Sequence, residues 1–320
     1  MTSKPINSKK MNKSLALSFL FLAIFLNTRP ADANVRFDLS GATSSSYKTF
    51  IKNLREALPK DGKVYDISVL LSTVMDSKRF ILIDLVNYDG QSITAAIDVL
   101  NVYIVAYSTG TVSYFFQQIP AQAPKLLFKG TQQRTLPYTG NYENLQTAAK
   151  KLRENIELGL PALDSAITTL FHYNAEAAAS ALLVLIQTTS EAARFRYIEL
   201  QIANNVGTKF KPSQTIISLE NNWSALSKQI QIAKNKNGQF ETPVILIDPQ
   251  GNRVQITNVT SNVVTQNIKL LLNIGATVDT TAANDVDEVT SGVPIRLSSC
   301  GHEMERKSVQ NGRHANYVSV

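Results

Sequence analysis

The sequence predicts a secreted α+β protein, and three observations support that fold class. An apolar segment lies near the N-terminus, a group of β-branched segments follows it, and helical patterns fill most of the second half before one last hairpin. Strands first, helices next and a final strand pair favour α+β over a regular strand-helix alternation. Hydrophobic residues make up 44% of the 320 residues and charged residues 18%, so the chain can bury a sizeable core.

The N-terminus has the three parts of a secretory signal peptide. Basic residues precede a mostly apolar stretch at residues 15–26, and Ala31-Asp32-Ala33 offers a cleavage site of small residues. The apolar stretch is too short for a comfortable bilayer span. We therefore expect residues 1–33 to be a signal peptide and the mature protein to have no membrane attachment.

The C-terminal end changes character. Residues 274–320 lose hydrophobic periodicity and collect Ala, Thr, Asp, Ser and Gly, which predicts a disordered tail or a removable propeptide. Cys300, the single cysteine, and two of the three histidines lie there. Such a composition excludes an intrachain disulfide scaffold and a zinc site of clustered Cys and His. The net charge of +7 favours a polyanionic partner without naming one.

Hydrophobic periodicity defines the first half of the predicted domain. Apolar residues recur with helical spacing over residues 44–58, and Pro59 ends the pattern. Runs of β-branched and aromatic residues then predict strands at 79–86, 92–99, 102–107 and 112–116. The residues Asn87-Tyr88-Asp89-Gly90 indicate a hairpin turn between the first two strands.

The second half is predicted to be helical up to a final hairpin. The helices are expected at residues 142–153, 162–171, 175–197 and 223–233. A last strand pair at 244–247 and 253–256 is joined by Asp248-Pro249-Gln250-Gly251, a strong turn signal. The chain shows no internal repeat and no glycine-rich phosphate loop.

The helix predicted at 175–197 carries an unusual pair of charges. Residues 177–186 are apolar on nearly every face, which indicates a core helix, yet Glu191 and Arg194 follow at i and i+3. A buried charge is costly unless it is paired, so these residues form either an internal salt bridge or part of a cleft. In a cleft, the carboxylate could stabilise an oxocarbenium-like cation and the arginine a leaving heterocycle.

Aromatic residues could complete such a cleft. If Tyr103 and Tyr142 converge, they could sandwich a flat base, although each also fits a core position. Trp223, the only tryptophan, is predicted to begin a helix, either as a packing anchor or as a cleft wall. Asn222 and Asn258 lie in N-glycosylation sequons. We favour Asn258, because a glycan on Asn222 would conflict with a cleft at Trp223.

Several segments together resemble the type 1 (single-chain) ribosome-inactivating proteins of cucurbits, which are plant RNA N-glycosidases. Residues 190–195 read SEAARF, the signature of that family. Further similar segments lie at residues 37–43, 96–99, 101–104, 139–142, 159–166 and 217–229. The resemblance covers residues 34–273. It implies an N-terminal mixed β-sheet with helices, a central region with a long buried helix, and a small C-terminal hairpin and helix subdomain, divided as 34–212 and 213–273.

The resemblance also implies a role for each matching residue. Tyr103 and Tyr142 would stack on the two sides of an adenine flipped out of an RNA loop. Arg194 would protonate or polarise the leaving base, Glu191 would stabilise the ribosyl cation and orient water, and Trp223 would form a cleft wall. The supporting residues would be Asn101, Asn141 and Asn221, with Glu220 as a carboxylate that partly substitutes for Glu191.

The implied activity is removal of one adenine from the conserved loop of 28S ribosomal RNA, which would stop translation and serve plant defence. No metal and no organic cofactor would be needed. The partners would be the large ribosomal subunit and ribosomal stalk proteins, and the protein would be a monomer without a lectin chain, secreted or vacuolar. Two alternatives stay open: a broader polynucleotide:adenosine glycosidase, and a catalytically silent storage or defence protein.

Overall fold

The computed structural model describes residues 35–58, 79–99, 101–117, 119 and 123–261. The predicted signal peptide and the predicted tail from residue 274 lie outside these residues, and both stay predictions. Within the described ranges, no helix combines the length and the apolar character that a membrane span requires.

Six strands form one mixed sheet in which the order along the chain is also the order in space. They are β1 (Val35–Asp38), β2 (Phe80–Val86), β3 (Ser92–Asp98), β4 (Tyr103–Ser108), β5 (Val112–Phe115) and β6 (Gln132–Thr135). The pairs β1–β2 and β5–β6 are parallel, and the other three are antiparallel. The four predicted strands are confirmed to within two residues. The sequence did not predict β1 and β6, because both are short and β6 is polar and exposed throughout.

Eight helices and a C-terminal hairpin complete the described structure. The helices are α1 (Ser44–Ala57), α2 (Ala123–Leu127), α3 (Tyr142–Ala149), α4 (Leu160–His172), α5 (Ala175–Thr188), α6 (Ser190–Arg194), α7 (Arg196–Ala203) and α8 (Gln214–Ala233), with a 3-10 helix at Arg153–Asn155. The antiparallel strands β7 (Gln239–Ile247) and β8 (Arg253–Asn258) form the predicted last hairpin, which packs on α8.

The central helix α5 lies in the core, as its apolar sequence predicts. Its residues from Ala181 to Thr188 are all buried, and α5 packs between α3 and α4. Burial of this kind is the main stabilising term of the fold, at roughly 25 cal/mol per Å² of apolar surface. The mixed sheet, the helical centre and the small final hairpin confirm the predicted α+β class.

The prediction of one continuous helix over residues 175–197 is wrong. The helix is interrupted by a turn at Thr189, with φ of −118° and ψ of −79°, and the backbone is extended at Phe195. Three separate helices, α5, α6 and α7, therefore stand in its place. The hydroxyls of Thr188 and Thr189 donate hydrogen bonds of 2.7 Å back to the carbonyl oxygens of Val184 and Leu185. Such back-bonding bends helices.

Two other predicted helix boundaries are also wrong. Trp223 does not begin a helix but lies in the middle of α8, which starts at Gln214 because the Ser213 hydroxyl accepts a hydrogen bond from the amide of Ile216. The helix predicted at 142–153 ends at Ala149, because Lys150 adopts a left-handed conformation with φ of +53°. Arg153 is thereby separated from α3.

Candidate active site

The two charges predicted on one helical face form a buried ion pair on α6. Glu191 is fully buried and Arg194 is 4% exposed. The Arg194 Nη1 donates to Glu191 Oε1, and its Nη2 donates a 2.7 Å hydrogen bond to the carbonyl oxygen of Asn101. Each ion therefore has a partner, which offsets the cost of removing the pair from water.

Two side chains of α1 donate hydrogen bonds to backbone carbonyl oxygens in and next to α6. The Tyr47 hydroxyl donates a 2.9 Å hydrogen bond to the carbonyl oxygen of Thr188, and Arg55 donates to the carbonyl oxygens of Ala192 and Ala193 at 3.1 Å each. A break in a helix leaves carbonyl groups without intrahelical partners, and leaving such groups unpaired in the interior is costly. Tyr47 and Arg55 therefore stabilise the break that presents Glu191 and Arg194.

The connection between β3 and β4 supplies the third partner of the site. Val102 has φ of +60°, a left-handed conformation that is unfavourable for a β-branched residue. Its amide donates a 2.8 Å hydrogen bond to the carbonyl oxygen of Asp98, so the chain reverses sharply. The reversal directs the Asn101 carbonyl to Arg194, while the Asn101 side chain accepts a hydrogen bond from the Tyr103 amide at 3.1 Å.

Tyr142 enters the site from the first turn of α3. Asn141 caps this helix, because its side-chain oxygen accepts a 2.8 Å hydrogen bond from the Asn144 amide. The Tyr142 hydroxyl donates a 2.9 Å hydrogen bond to Glu191 Oε1. Burial, and to a lesser extent the carboxylates of Glu191 and Glu220, raise the pKa of Tyr142 well above its ordinary value. The hydroxyl therefore keeps its proton and acts as a donor.

Two aromatic rings flank the Arg194 guanidinium. Its central carbon lies 4.0 Å from the ring centre of Trp223 and 5.2 Å from that of Tyr103. Both distances are within the range in which a cation is attracted to an aromatic face. The rings fix the plane of the guanidinium and keep it in an apolar surrounding, where its charge acts strongly.

A second ionic layer lies behind Tyr142. The Arg153 guanidinium sits 3.7 Å from the Tyr142 ring centre, donates a 2.6 Å hydrogen bond to Glu220 Oε2 and also donates to Asn221 Oδ1. The Gln187 amide donates to both oxygens of Glu220, at 2.8 and 3.1 Å. Burial, and next the nearby Glu191 carboxylate, raise the pKa of Glu220 to about 8, although Arg153 opposes the shift.

The structure brings most of the predicted site residues together. Those in direct contact, or linked through one shared partner, are Glu191, Arg194, Tyr103, Tyr142, Trp223, Asn101, Glu220 and Asn221. Asn141 acts on the helix that carries Tyr142 rather than inside the cluster. Asn258 lies at the end of β8, opposite Gln239 of β7, and its side-chain oxygen accepts hydrogen bonds from Thr260 of its sequon. The Asn222 amide donates to the Ser218 carbonyl oxygen at 2.7 Å.

Two residues of the site were not predicted as functional. Gln187 could have been found, because it is a polar residue at the end of an apolar run and lies four positions before Glu191. Arg153 gives no such signal, since it follows a polar segment in which an arginine is ordinarily solvated. Its burial becomes visible only when α3 and α8 are placed together.

The arrangement leaves buried polar atoms that point to a ligand. Glu191 Oε2, Arg194 Nε and Trp223 Nε1 have no hydrogen-bond partner among the described residues. Unsatisfied buried groups are rare in folded proteins, and active sites are one place where they are retained. A carboxylate oxygen and a guanidinium N–H in one aromatic site suit a substrate with a planar, nitrogen-rich group. The described residues contain no cluster of three metal-binding side chains.

Comparison with known proteins places the chain in a family. The family model described as "Ribosome inactivating protein" matches residues 42–231. The chain is 98% identical to the ribosome-inactivating protein cucurmosin of Cucurbita moschata over 244 residues, which cover 76% of this chain and all of that protein. It is 63% identical to momordin II of Momordica balsamina, covering 82% of this chain and 92% of that protein.

A solved structure gives the same result for the fold. A type I ribosome-inactivating protein of Iris hollandica is 32% identical, superposes with a TM-score of 0.62, and covers 73% of this chain and 96% of its own. The similar proteins thus match over most of their own length in sequence, and the solved structure matches in architecture. On this evidence, the chain belongs to the family of ribosome-inactivating proteins and is an rRNA N-glycosidase.

Proposed function

We propose that Glu191 and Arg194 are the catalytic residues, and that they hydrolyse the N-glycosidic bond of one adenine in the conserved loop of 28S ribosomal RNA. The observation that carries this proposal is the hydrogen bonding of the two Glu191 carboxylate oxygens. One of its oxygens accepts from Arg194 and Tyr142, while the other is buried with no partner in the described part of the chain. A carboxylate fixed in this way can face a developing cation at no further cost in reorganisation.

Tyr103 and Tyr142 hold the adenine between their rings. One face of Tyr142 is covered by the Arg153 guanidinium, which leaves its other face for the base. Stacking on an aromatic ring stabilises a bound base by about 1–3 kcal/mol. A base in an exposed RNA loop is also cheaper to flip out than a paired one.

Arg194 assists departure of the base. When the bond between ribose C1′ and the adenine nitrogen breaks, the electron pair goes to the adenine, and a guanidinium beside the ring stabilises that charge. Its Nη1 and Nη2 are engaged with Glu191 and Asn101, whereas its Nε–H has no partner among the described residues. Trp223 supplies the apolar wall that keeps this interaction strong.

Glu191 stabilises the ribosyl cation and directs the attacking water. Its free Oε2 accepts a hydrogen bond from water, whose oxygen bonds to C1′ while a proton is released and the departing adenine is protonated. Asn101 supports Arg194, Asn141 positions Tyr142, and Asn221 holds Arg153. Glu220, which lies behind Tyr142, partly substitutes when Glu191 is removed.

Processing and location complete the proposal. We propose that residues 1–33 are cleaved, that residues 274–320 form a removable propeptide, and that the protein is secreted or vacuolar. A glycan at Asn258 is supported by the half-exposed position of this residue, whose Oδ1 accepts a 2.7 Å hydrogen bond from the hydroxyl of Thr260 in the sequon. Intact-mass analysis of protein from the native tissue tests all three modifications, and a full-length unmodified mass would contradict them.

The ribosome is proposed to be engaged by a single chain. The mature protein is expected to be a monomer without a lectin chain, with stalk proteins of the large subunit as its docking partners. Pull-down of purified stalk proteins with the recombinant chain tests this contact. The absence of retained stalk protein, under conditions in which ribosomes are still depurinated, would contradict it.

Treatment of ribosomal RNA with acidic aniline tests the catalytic proposal, because aniline cuts the backbone where a base is missing. Intact eukaryotic ribosomes are incubated with the chain or with its Glu191→Gln variant. One discrete short fragment with the parent, reduced at least about 100-fold in rate with the folded variant, is the expected result. Comparable adenine release from naked DNA would favour the broader glycosidase, and no fragment from folded parent protein would favour a storage or defence role.

A further inference from the structure

We propose that a groove beside the active site binds the phosphodiester backbone of the nucleotides that flank the target adenine. The groove has a volume of about 930 Å³, and its lining includes Tyr142, Lys150, Lys151, Arg153 and Asn221. This inference rests on the proposed function, which supplies the RNA.

The groove continues directly from the adenine site. Tyr142 belongs to both, since its hydroxyl contacts Glu191 while its ring lines the groove. Arg153, stacked on that ring, also lines the groove. Ligand sites commonly measure about 300–1,000 Å³, and the groove, at about 930 Å³, lies near the upper end of that range. A strand whose adenine is inserted beside Tyr142 would therefore have its next residues in the groove.

The polar groups of the groove suit phosphate. Lys150 and Lys151 are exposed and form no ion pair within the described part of the chain, and Glu143 is the carboxylate that opposes them. Arg153 donates to Glu220 through Nη1, while its buried Nε–H has no partner among the described residues. Ammonium groups and N–H donors are the groups with which proteins bind nucleic-acid backbones.

The Asn221 side chain adds a further donor. Its oxygen accepts from Arg153, and its amide NH₂ makes no hydrogen bond to any described residue. The side chain is exposed at the edge of the groove. It is thus oriented by Arg153 with its donors available for a ligand.

The backbone conformation of Lys150 indicates that this lysine is present for more than ending the helix. Its φ of +53° at the C-cap of α3 is a conformation that favours glycine, so lysine is not the residue that the local backbone prefers. A cation at a helix C-terminus also complements the helix dipole. Lys234 provides a matched control, because it is exposed at the C-cap of α8, roughly 20 Å along that helix from Asn221.

Fluorescence anisotropy with a labelled RNA hairpin tests the proposal. The hairpin carries the sequence of the large-subunit rRNA loop, and all proteins contain Glu191→Gln so that the RNA stays intact. We expect Lys150→Gln/Lys151→Gln to weaken binding about 3- to 10-fold and to reduce the slope of log Kd against log salt by about 1 for each lysine that contacts a phosphate. The control Lys228→Gln/Lys234→Gln removes two exposed lysines, one in α8 and one at its C-cap, that do not line the groove, and it should bind as the parent does. A Kd and slope equal to those of the control would overturn the proposal.

The Lys150→Gly variant tests whether any loss of RNA affinity results from a less stable fold. Glycine suits the left-handed C-cap, so this variant should unfold at the same or a higher urea concentration than the parent and still bind the hairpin more weakly. Affinity equal to that of the parent would show that Lys150 only ends the helix. Failure of the proposed function would be distinct, because the parent protein would then produce no aniline fragment from ribosomes whatever the anisotropy shows.

Discussion

The Tyr142 hydroxyl donates a 2.9 Å hydrogen bond to the same oxygen of Glu191 that Arg194 contacts. One carboxylate oxygen thus receives two donors, one neutral and one cationic. The two donors come from helices that are distant in the sequence, α3 and α6. The orientation of the carboxylate therefore depends on how these helices are placed relative to each other.

Replacing Tyr142 with phenylalanine should lower kcat for ribosome depurination about 10-fold, which corresponds to about 1.4 kcal/mol. The ring is kept, but Glu191 Oε1 loses its neutral donor. Tyr103→Phe is the matched comparison and should have a smaller effect, because the Tyr103 hydroxyl makes no hydrogen bond within the described residues. Depurination rates are measured from the quantified aniline fragments. Equal losses of rate in the two variants would contradict the role of the Tyr142 hydroxyl.

Glu220 should make the protein less stable as the pH rises. Its pKa is raised from 4.5 to about 8, so between these values the folded protein holds a proton that the unfolded chain has released. The contribution to the free energy of unfolding therefore falls from about pH 4.5 to about pH 8, by at most about 1.4 kcal/mol per pH unit. Urea unfolding of the parent and of Glu220→Gln at several pH values should show the shallower decline in the variant. An equal decline of the free energy of unfolding with pH in the two proteins would contradict the raised pKa of Glu220.

Tyr47→Phe should destabilise the protein by about 1–3 kcal/mol, since it leaves the buried carbonyl of Thr188 without a donor. It should also lower the depurination rate, because that carbonyl lies at the break that positions α6. Tyr88→Phe serves as the control and should change stability by less than about 0.5 kcal/mol, because Tyr88 is 47% exposed. The midpoints of urea unfolding give the stability of both variants. A Tyr47→Phe midpoint equal to the parent's would show that the Tyr47 hydroxyl does not stabilise the helix break.

Gly140→Ala should cost about 1–3 kcal/mol through overpacking. A Cβ at this position would lie 2.8 Å from a ring carbon of Phe116, which is 2% exposed and has little room to move. The start of α3, and with it Tyr142, would then shift and slow catalysis. Gly207→Ala is the control, because a Cβ there meets nothing within 4 Å. Thermal unfolding and the aniline assay should separate the two variants, and indistinguishable results would show that Phe116 accommodates the methyl group.

The central strands could be predicted because their signals are local. The alternation of residues in β2 to β5 and the turn at Asn87–Gly90 arise from neighbours along the chain, and the i, i+3 spacing of Glu191 and Arg194 is equally local. The helix break could not be predicted in this way. It depends on Tyr47 and Arg55, which lie 141 and 138 residues before the carbonyls that they bind.

The composition of the site was only partly accessible from the sequence. Nothing near Asn101 indicates that its backbone carbonyl receives Arg194, a contact across 93 residues. Resemblance to a family supplied Asn101 as a supporting residue but not the atom involved. Arg153 was missed because its burial is created by tertiary packing, which brings it between Tyr142 and Glu220.

The single tryptophan also provides an optical reporter. Trp223 lies 4.0 Å from the Arg194 guanidinium, and the chain has no second indole to contribute emission. Its fluorescence therefore originates from one place, the wall of the adenine site. Entry of a base beside Arg194 should change the intensity or wavelength of this emission, so occupancy can be titrated without attaching a dye. The same signal would report when that wall comes apart during denaturation.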